Sequence, residues 1–440
     1  MLTRFRSDWP FAARRVPLFY GWVIWLLSTA GFLLSVPGQT MGMGVFTDYF
    51  LAHLGLTRTE LSWAYFGGTV LSATLLTRAG RAFDRYGARV MVVGACLGLA
   101  LVLLAMAGLD QAAGALATQL GLTLAWLTGP LIFLCYFGVR FTGQGVLTSA
   151  SVNVLLLWFE RRRGLVSGLR GVFVSLGFAA APLLLALLID DHGWRGTLIL
   201  LAGAVAVFSV IAALLLRDTP AVCGLAPDGI APITPTAQRP ETAAQGDTLQ
   251  QARRTLEYWA YCLGLAMHAL FGTAMTFHIV DLFASAGRDA AEAYRYFLPA
   301  AIVSTSVNLI ASTLADRLPM KPFLIAMLSL FALGAVGMLQ LSSDWGYWSL
   351  VIGFGAGGGL WVVISNLAFV RHHGTAHLGE ISGFNTAVTV FASAIGPVAF
   401  SIAREAGTSY NEAITGCLIA ITALFAVSCF IPNRGRPPNP

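Results

Sequence analysis

Few side chains in this 440-residue chain are equipped for chemistry, so their placement carries weight. Arg140 lies inside an apolar run, with Gln144 four residues further on. On a helix that spacing puts both on one face. A guanidinium in mid-membrane costs at least ~2.5 kcal/mol on insertion scales, so it faces a cavity and contacts an anion or biases a proton site. The competing role is bonding to carbonyls and fixing helix packing. His278 and Asp281 stand three apart in the run FHIVDLF. A buried carboxylate has a raised pKa and imidazole titrates near neutrality, so this pair is equipped to take up and release a proton. At the outer interface it would be an ordinary solvated pair. His268, Asn385 and Asn153 are polar groups within apolar runs, each a candidate solute contact or a satisfied core residue.

A second group is charged and glycine-punctuated: Gly80-Arg81-Ala82-Phe83-Asp84-Arg85-Tyr86-Gly87-Ala88-Arg89. A carboxylate here can pair with arginines and with the positive end of a neighbouring helix. Anchoring at the membrane surface would explain its arginines but not the spacing of Gly80, Asp84 and Gly87. The triple His372, His373 and His377 has only Glu380 as a further ligand candidate, so no metal is expected. The glycine run Gly353, Gly355, Gly357, Gly358 and Gly359 follows no strand and lacks a P-loop lysine. No cofactor is expected, and no carboxylate or histidine cluster has catalytic spacing, so the chain is not read as an enzyme.

Composition identifies the elements that hold these residues. Only 48 residues are charged, 57% are hydrophobic, and the mean hydropathy is +0.73. A soluble chain has about a quarter of its residues charged. Apolar stretches long enough to span a bilayer recur near 19–47, 60–79, 88–109, 128–157, 164–189, 195–216, 257–283, 293–315, 322–342, 346–370, 379–403 and 410–431. They lack the alternation of barrel strands and are twice their length, so they read as twelve transmembrane helices of an all-α membrane protein. The net charge of +6 comes from short arginine clusters between these runs, which indicates topology and not a nucleic-acid partner. With the N-terminus cytoplasmic, 21 of the 27 positive charges lie inside, five lie outside, and Arg140 lies within a span. Both termini are therefore expected in the cytoplasm. The start of the chain reads as an uncleaved signal anchor behind an interfacial stretch. The six dispersed cysteines read as small hydrophobes.

The longest polar stretch, Arg217 to Thr255, divides the spans six and six and reads as a flexible cytoplasmic linker. The expected organisation is a segment 1–18, an N-terminal six-helix bundle 19–216, a linker 217–256, a C-terminal six-helix bundle 257–432 and a tail 433–440. The halves repeat. Gly55/Gly287, Glu60/Glu292, Asp84/Asp316 and Arg85/Arg317 share an offset of 232, while Ser167-Gly168/Ser382-Gly383 and Pro182/Pro397 share 215. The difference implies an insertion in the first half. Asp110 to Leu127 fits it, as an external loop or surface helix.

Here a family resemblance becomes specific. The Gly80–Arg89 stretch resembles the loop signature G-x-x-x-D-R-x-G-x-R of the major facilitator superfamily. A degenerate copy, Asp316-Arg317 with Lys321, follows the eighth span, and Arg140 to Gly145 is similar to the family's R-x-x-x-x-G pattern. Tyr20-Gly21-Trp22 and Trp158-Phe159-Glu160-Arg161-Arg162-Arg163-Gly164-Leu165 resemble the bacterial monocarboxylate and oxalate/formate branch. Carboxylate carriers of that branch tend to have an arginine in span eight. Here that span reads PAAIVSTSVNLIAST, with Arg295 at its outer end, which departs from a simple lactate-like or oxalate-like substrate. Span five lacks the G-P-x-x-G-G signature of drug/proton antiporters.

The resemblance implies alternating access by two bundles that carry a small organic anion with protons. The expected partners are the solute, protons and the lipid bilayer, and the expected state is a monomer in a bacterial inner membrane. Solute and coupling contacts fall to Arg140, Gln144, His278, Asp281, His268 and Asn385. Gating falls to Gly80, Asp84, Arg85, Gly87, Arg89, Asp316, Arg317 and Lys321. Two other functions compete: efflux of hydrophobic or amphipathic compounds, and a non-transporting sensor or assembly protein on the same fold.

Overall fold

A computed structural model describes residues 9–121, 124–229, 246–406 and 409–432. Among these the chain is nearly all helical, with one isolated backbone bridge between Gly246 and Gly374. Ten stretches are long and apolar enough to cross a membrane, and one of them, Arg163–Leu215, is two helices broken at Gly193 (φ 69°). Adding Arg58–Tyr86, whose arginines and Asp84 lower its hydropathy, gives twelve long helices. They are α1 (Gly21–Leu33), α2 (Arg58–Tyr86), α3 (Ala88–Ala107), α4 (Leu124–Val139, continuing to Trp158), α5 (163–192), α6 (194–215), α7 (Leu256–Ser285), α8 (Phe297–Ala315), α9 (Lys321–Leu339), α10 (Asp344–His373), α11 (Leu378–Ala406) and α12 (Asn411–Phe430).

The duplicated sequence positions have duplicated geometry. Gly55 (φ 65°) and Gly287 (φ 78°) end the preceding helices in the left-handed region that glycine adopts without strain. Two residues on, Thr57 closes a capping box with Glu60 through bonds of 2.8 and 3.2 Å, and Asp289 accepts from the Glu292 amide at 2.7 Å.

Two expectations need correction. The first apolar run, 19–47, is not one helix: α1 stops at Leu33, a 3-10 turn spans Val36–Gly38, and short helices follow at Thr40–Gly44 and Thr47–Leu54. Pro37 has no amide to continue the α-helical ladder. The stretch 217–255 is ordered at both described ends. On the N-terminal side Arg217 is buried and Asp228 accepts from the Glu160 amide at 3.0 Å. On the C-terminal side the Asp247 amide donates to the His373 carbonyl at 2.9 Å, and the Asp247 carboxylate meets His373 Nδ1 at 3.0 Å. Residues 230–245, the tail 433–440 and residues 1–8 lie outside the described residues. The insertion is a helix, Leu109–Leu120, that buries Leu109 and Ala113 and pairs Asp110 with Arg195.

Contacts divide the chain into two units. One comprises 1–160, 173–241 and 382–387; the other comprises 161–172, 242–381 and 388–440. The first turns of α5 thus pack with the C-terminal helices, and a short piece of α11 packs with the N-terminal ones.

Candidate functional site

The broken first helix explains the setting of Arg140. Ending α1 early leaves carbonyls without helical partners, and one of them, Gly38 O, accepts a 3.1 Å bond from Arg140 Nη1. A Cβ on Gly38 would stand 2.5 Å from Gln144 N, 2.6 Å from Val139 O and 2.8 Å from Gly143 Cα, so only glycine permits this approach. Arg140 begins a π-helical segment, Arg140–Leu147, inside α4. Its guanidinium lies 5.3 Å over the Tyr65 ring, whose hydroxyl donates to Thr40 Oγ1 at 2.8 Å. The side chain is 3% exposed. Among the described residues Nε has no acceptor and no carboxylate pairs with the charge. Gln144 is half-buried, one wide turn along.

In the C-terminal unit, His278 and Asp281 are joined through Tyr410. Tyr410 Oη donates to Asp281 Oδ2 at 2.7 Å and lies 3.3 Å from His278 Nδ1, while His278 Nε2 meets the Pro397 carbonyl at 3.0 Å and Ser401 Oγ at 3.3 Å. Arg404 Nε adds a 3.2 Å bond to Asp281. Asp281 is not the buried carboxylate anticipated, since its side chain is 50% exposed and already salt-bridged. His278 Nε2 faces the Pro397 carbonyl and the Ser401 hydroxyl, and Nδ1 faces a hydroxyl whose proton goes to Asp281, so both ring nitrogens lie within reach of polar partners.

His268 sits near the middle of α7, its ring stacked on Phe331 at 4.5 Å and 7°, with Trp361 at 5.4 Å. Asn385 is buried in α11, and Asn153 Nδ2 donates to Ser382 Oγ at 2.9 Å.

The loop residues separate into distinct jobs. Gly87 (φ 87°) breaks the chain between α2 and α3; a Cβ there would stand 2.6 Å from the Asp218 carboxylate. Asp218 accepts from the Arg89 amide at 2.8 Å. The 2% exposed Arg89 side chain bonds the Ala213 carbonyl at 2.7 Å through Nε and the Trp9 carbonyl at 3.2 Å. Arg89 therefore ties the start of α3 to the end of α6 within one unit. Arg85 is exposed beside the Tyr86 ring, Asp84 is half-buried, and Gly80 is buried. A Cβ on Gly383 would stand 2.7 Å from Leu76 O and 3.3 Å from Gly80 Cα.

The repeated copy is fully visible. Asp316 accepts from the amides of Gly164 (2.7 Å) and Leu165 (2.9 Å), the first turn of α5, and from Arg371 Nη2 at 3.3 Å. A carboxylate at free helix amides also meets the positive end of the macrodipole. Gly168, the repeat equivalent of Gly383, faces Ser312, the equivalent of Gly80. Arg317 is exposed. Lys321 donates to the carbonyls of Cys429 (2.8 Å) and Ile431 (2.7 Å), closing the end of α12 and not the Asp316 cluster.

Sequence reasoning missed Arg170. Counted with the surface arginines, it is 4% exposed, and Nη2 donates to Asn366 Oδ1 at 3.1 Å. Its place between Gly168 and Gly171, both in contact with α8, was the available signal.

Two units of membrane-length apolar helices define a polytopic membrane protein. The family model of the Major Facilitator Superfamily matches residues 28–397, and the chain belongs to that family. It is similar to human monocarboxylate transporter 6, 29% identical over 282 residues, covering 59% of this chain and 49% of the relative. It also resembles the multidrug resistance protein B homolog of Mycobacterium tuberculosis, 29% identical over 148 residues, covering 33% of this chain and 24% of that protein. The chain thus spans about half the length of the human relative, and less of the mycobacterial one. The fold is shared with the proton:xylose symporter XylE bound to 6-bromo-6-deoxy-D-glucose (TM-score 0.65, 14% identity, 95% and 97% of the two chains). It is shared equally with a bacterial homologue of the iron transporter ferroportin in an outward-facing state (TM-score 0.66, 14% identity, 92% and 98%).

Proposed function

We propose that this transporter carries a small organic anion with protons by alternating access in a bacterial inner membrane. The carrying observation is Arg140: a permanent cation, 3% exposed within a membrane helix, bonded to one carbonyl and facing no carboxylate among the described residues. A solute carboxylate offers the missing partner, and a bidentate pair with guanidinium is stronger and more directional than one with ammonium. The similarity to a monocarboxylate transporter supports the same class. His278 holds the proton, with Asp281 and Tyr410 as its supports. Asp84 and Asp316 act as releasable caps on helix starts. Arg317 is assigned to the membrane surface, and Arg89 and Lys321 to holding each bundle together.

The test is uptake of radiolabelled organic acids into proteoliposomes, with and without an inward pH gradient. Arg140→Ala and Arg140→Lys should both lose uptake; near-normal rates in both remove Arg140 from the mechanism. Efflux of amphipathic compounds is the second reading, favoured by similarity to the mycobacterial multidrug resistance homologue. Extrusion of a lipophilic dye from the same vesicles, with no acid uptake, would select it. Absence of flux for every solute would favour a sensor.

A further inference from the structure

The glycine run of α10 serves mainly close packing. A Cβ on Gly353, Gly355, Gly357 or Gly359 would meet atoms of α8 or α9 at 2.3–2.8 Å, so each must be glycine for the helices to touch. Gly358 breaks this rule. Its Cβ would stand 3.5 Å from Ser304 Oγ and 4.0 Å from His268 Cε1, ordinary contact distances at which alanine fits. Gly272 on α7 is alike: a Cβ there would meet His268 Cε1 at 3.5 Å, Nδ1 at 3.8 Å and Nε2 at 3.9 Å. Glycine in a helix interior is disfavoured against alanine, so packing does not account for these two.

Both border the same imidazole edge. One face of the ring is covered by Phe331. Nδ1 is buried and has no hydrogen-bond partner among the described residues. Ser304 is half-buried. Trp361 closes the group; its Nε1 donates to the Leu265 carbonyl at 3.0 Å, which fixes the indole and leaves its face as a platform.

We infer that the space kept clear by Gly272 and Gly358 in the C-terminal unit binds a flat ring bearing a hydrogen-bonding atom. The ring lies against Trp361, and its polar atom meets His268 or Ser304. Aromatic faces favour planar, polarisable partners, and two polar groups in an apolar wall set orientation. Resting on the organic-anion reading above, this makes the preferred solute an aromatic or heteroaromatic carboxylic acid and not a short aliphatic one.

The test is equilibrium binding to the purified full chain in detergent, using benzoate, cyclohexanecarboxylate, lactate and the uncharged flat probe nicotinamide. Benzoate should bind at least ~10-fold more tightly than cyclohexanecarboxylate or lactate. Gly358→Ala and Gly272→Ala should each weaken benzoate and nicotinamide about 10-fold, with unchanged elution and melting, because a methyl fits the fold but occupies the ligand's space. His268→Phe, which keeps the stack, should lose affinity for both. Equal binding of benzoate and cyclohexanecarboxylate, or alanine variants that bind like the parent, overturns the inference. Glycine-dependent binding of nicotinamide without binding of any acid supports the notch and defeats the anion reading alone.

Discussion

The two units carry matching turn and cap positions, yet they bury different chemistry. The N-terminal unit holds a permanent charge: Arg140 on the Gly38 carbonyl and the Tyr65 ring. The C-terminal unit buries a guanidinium too, Arg170 against Asn366, and adds imidazoles, His268 in an aromatic stack and His278 in a hydrogen-bonded chain. The repeat preserves features that build a bundle, including the Gly55/Gly287 turns, the Glu60/Glu292 caps and the Gly80–Gly383/Ser312–Gly168 contacts. The halves differ in the inserted helix Leu109–Leu120 and in their polar groups in mid-helix. A guanidinium only donates, whereas an imidazole offers both a donor and an acceptor nitrogen. The imidazoles give the C-terminal unit a hydrogen-bonding repertoire that Arg140 does not have.

The largest effect should come from the fixed charge. Arg140→Ala removes the candidate partner for a solute carboxylate in the N-terminal unit, a loss of ~2–5 kcal/mol for a buried charge pair. Initial uptake in proteoliposomes should fall more than about 30-fold. Arg140→Lys should fall about 10-fold, since an ammonium cannot reproduce the fork. Retained uptake in lysine but not alanine would reduce the N-terminal role to charge alone.

Breaking the other side of the contrast needs His278→Gln. Glutamine keeps a donor and an acceptor but exchanges no proton. Accumulation driven by a pH gradient should be lost while solute counterflow persists. If gradient-driven accumulation survives, the proton is held elsewhere. Asp281→Asn should leave accumulation within about three-fold, because the residue supports Tyr410 from a half-exposed position.

Smaller effects belong to the shared features. Asp316→Asn weakens the cap on α5, an interaction worth ~0.3–1 kcal/mol at a helix start. Turnover should drop several-fold with solute affinity unchanged, and Asp84→Asn should match it. A change of affinity in either variant would move that carboxylate from gate to binding site. Smallest is Arg195→Gln at the inserted helix. This partly exposed pair should alter thermal stability by less than about 1 kcal/mol and uptake not at all.

Much of this was legible in the sequence. Twelve helices, the repeat and the capped loops follow from periodicity and offset, because those signals are local. Arg140 stood out because its run has no other charge. Arg170 and Arg217 did not, and Arg89 was legible as part of the loop signature but not as buried, since counting arginines between spans cannot tell a surface anchor from a 2–4% exposed one. Their acceptors lie far along the chain, at Ala213, Asn366 and Phe11. The early end of α1 was signalled by Pro37 but masked by uniform hydrophobicity. The Tyr410 link between His278 and Asp281 depends on a helix 129 residues downstream of Asp281.

The wide segment Arg140–Leu147 has one more implication. A π-helix bonds each amide five residues back instead of four, so the segment stores surplus chain relative to an α-helix. Deleting a single residue between 141 and 146 would let it relax to ordinary pitch without cutting either flank. The missing residue is drawn from that surplus, so the flanking α-helical turns keep close to their present orientation, whereas one deletion in an ordinary α-helix turns everything beyond it by roughly 100° about the axis. Arg140 keeps its hold on Gly38 and Asn153 its hold on Ser382. In this helix the wide turn lets the residue count change without redirecting the buried charge.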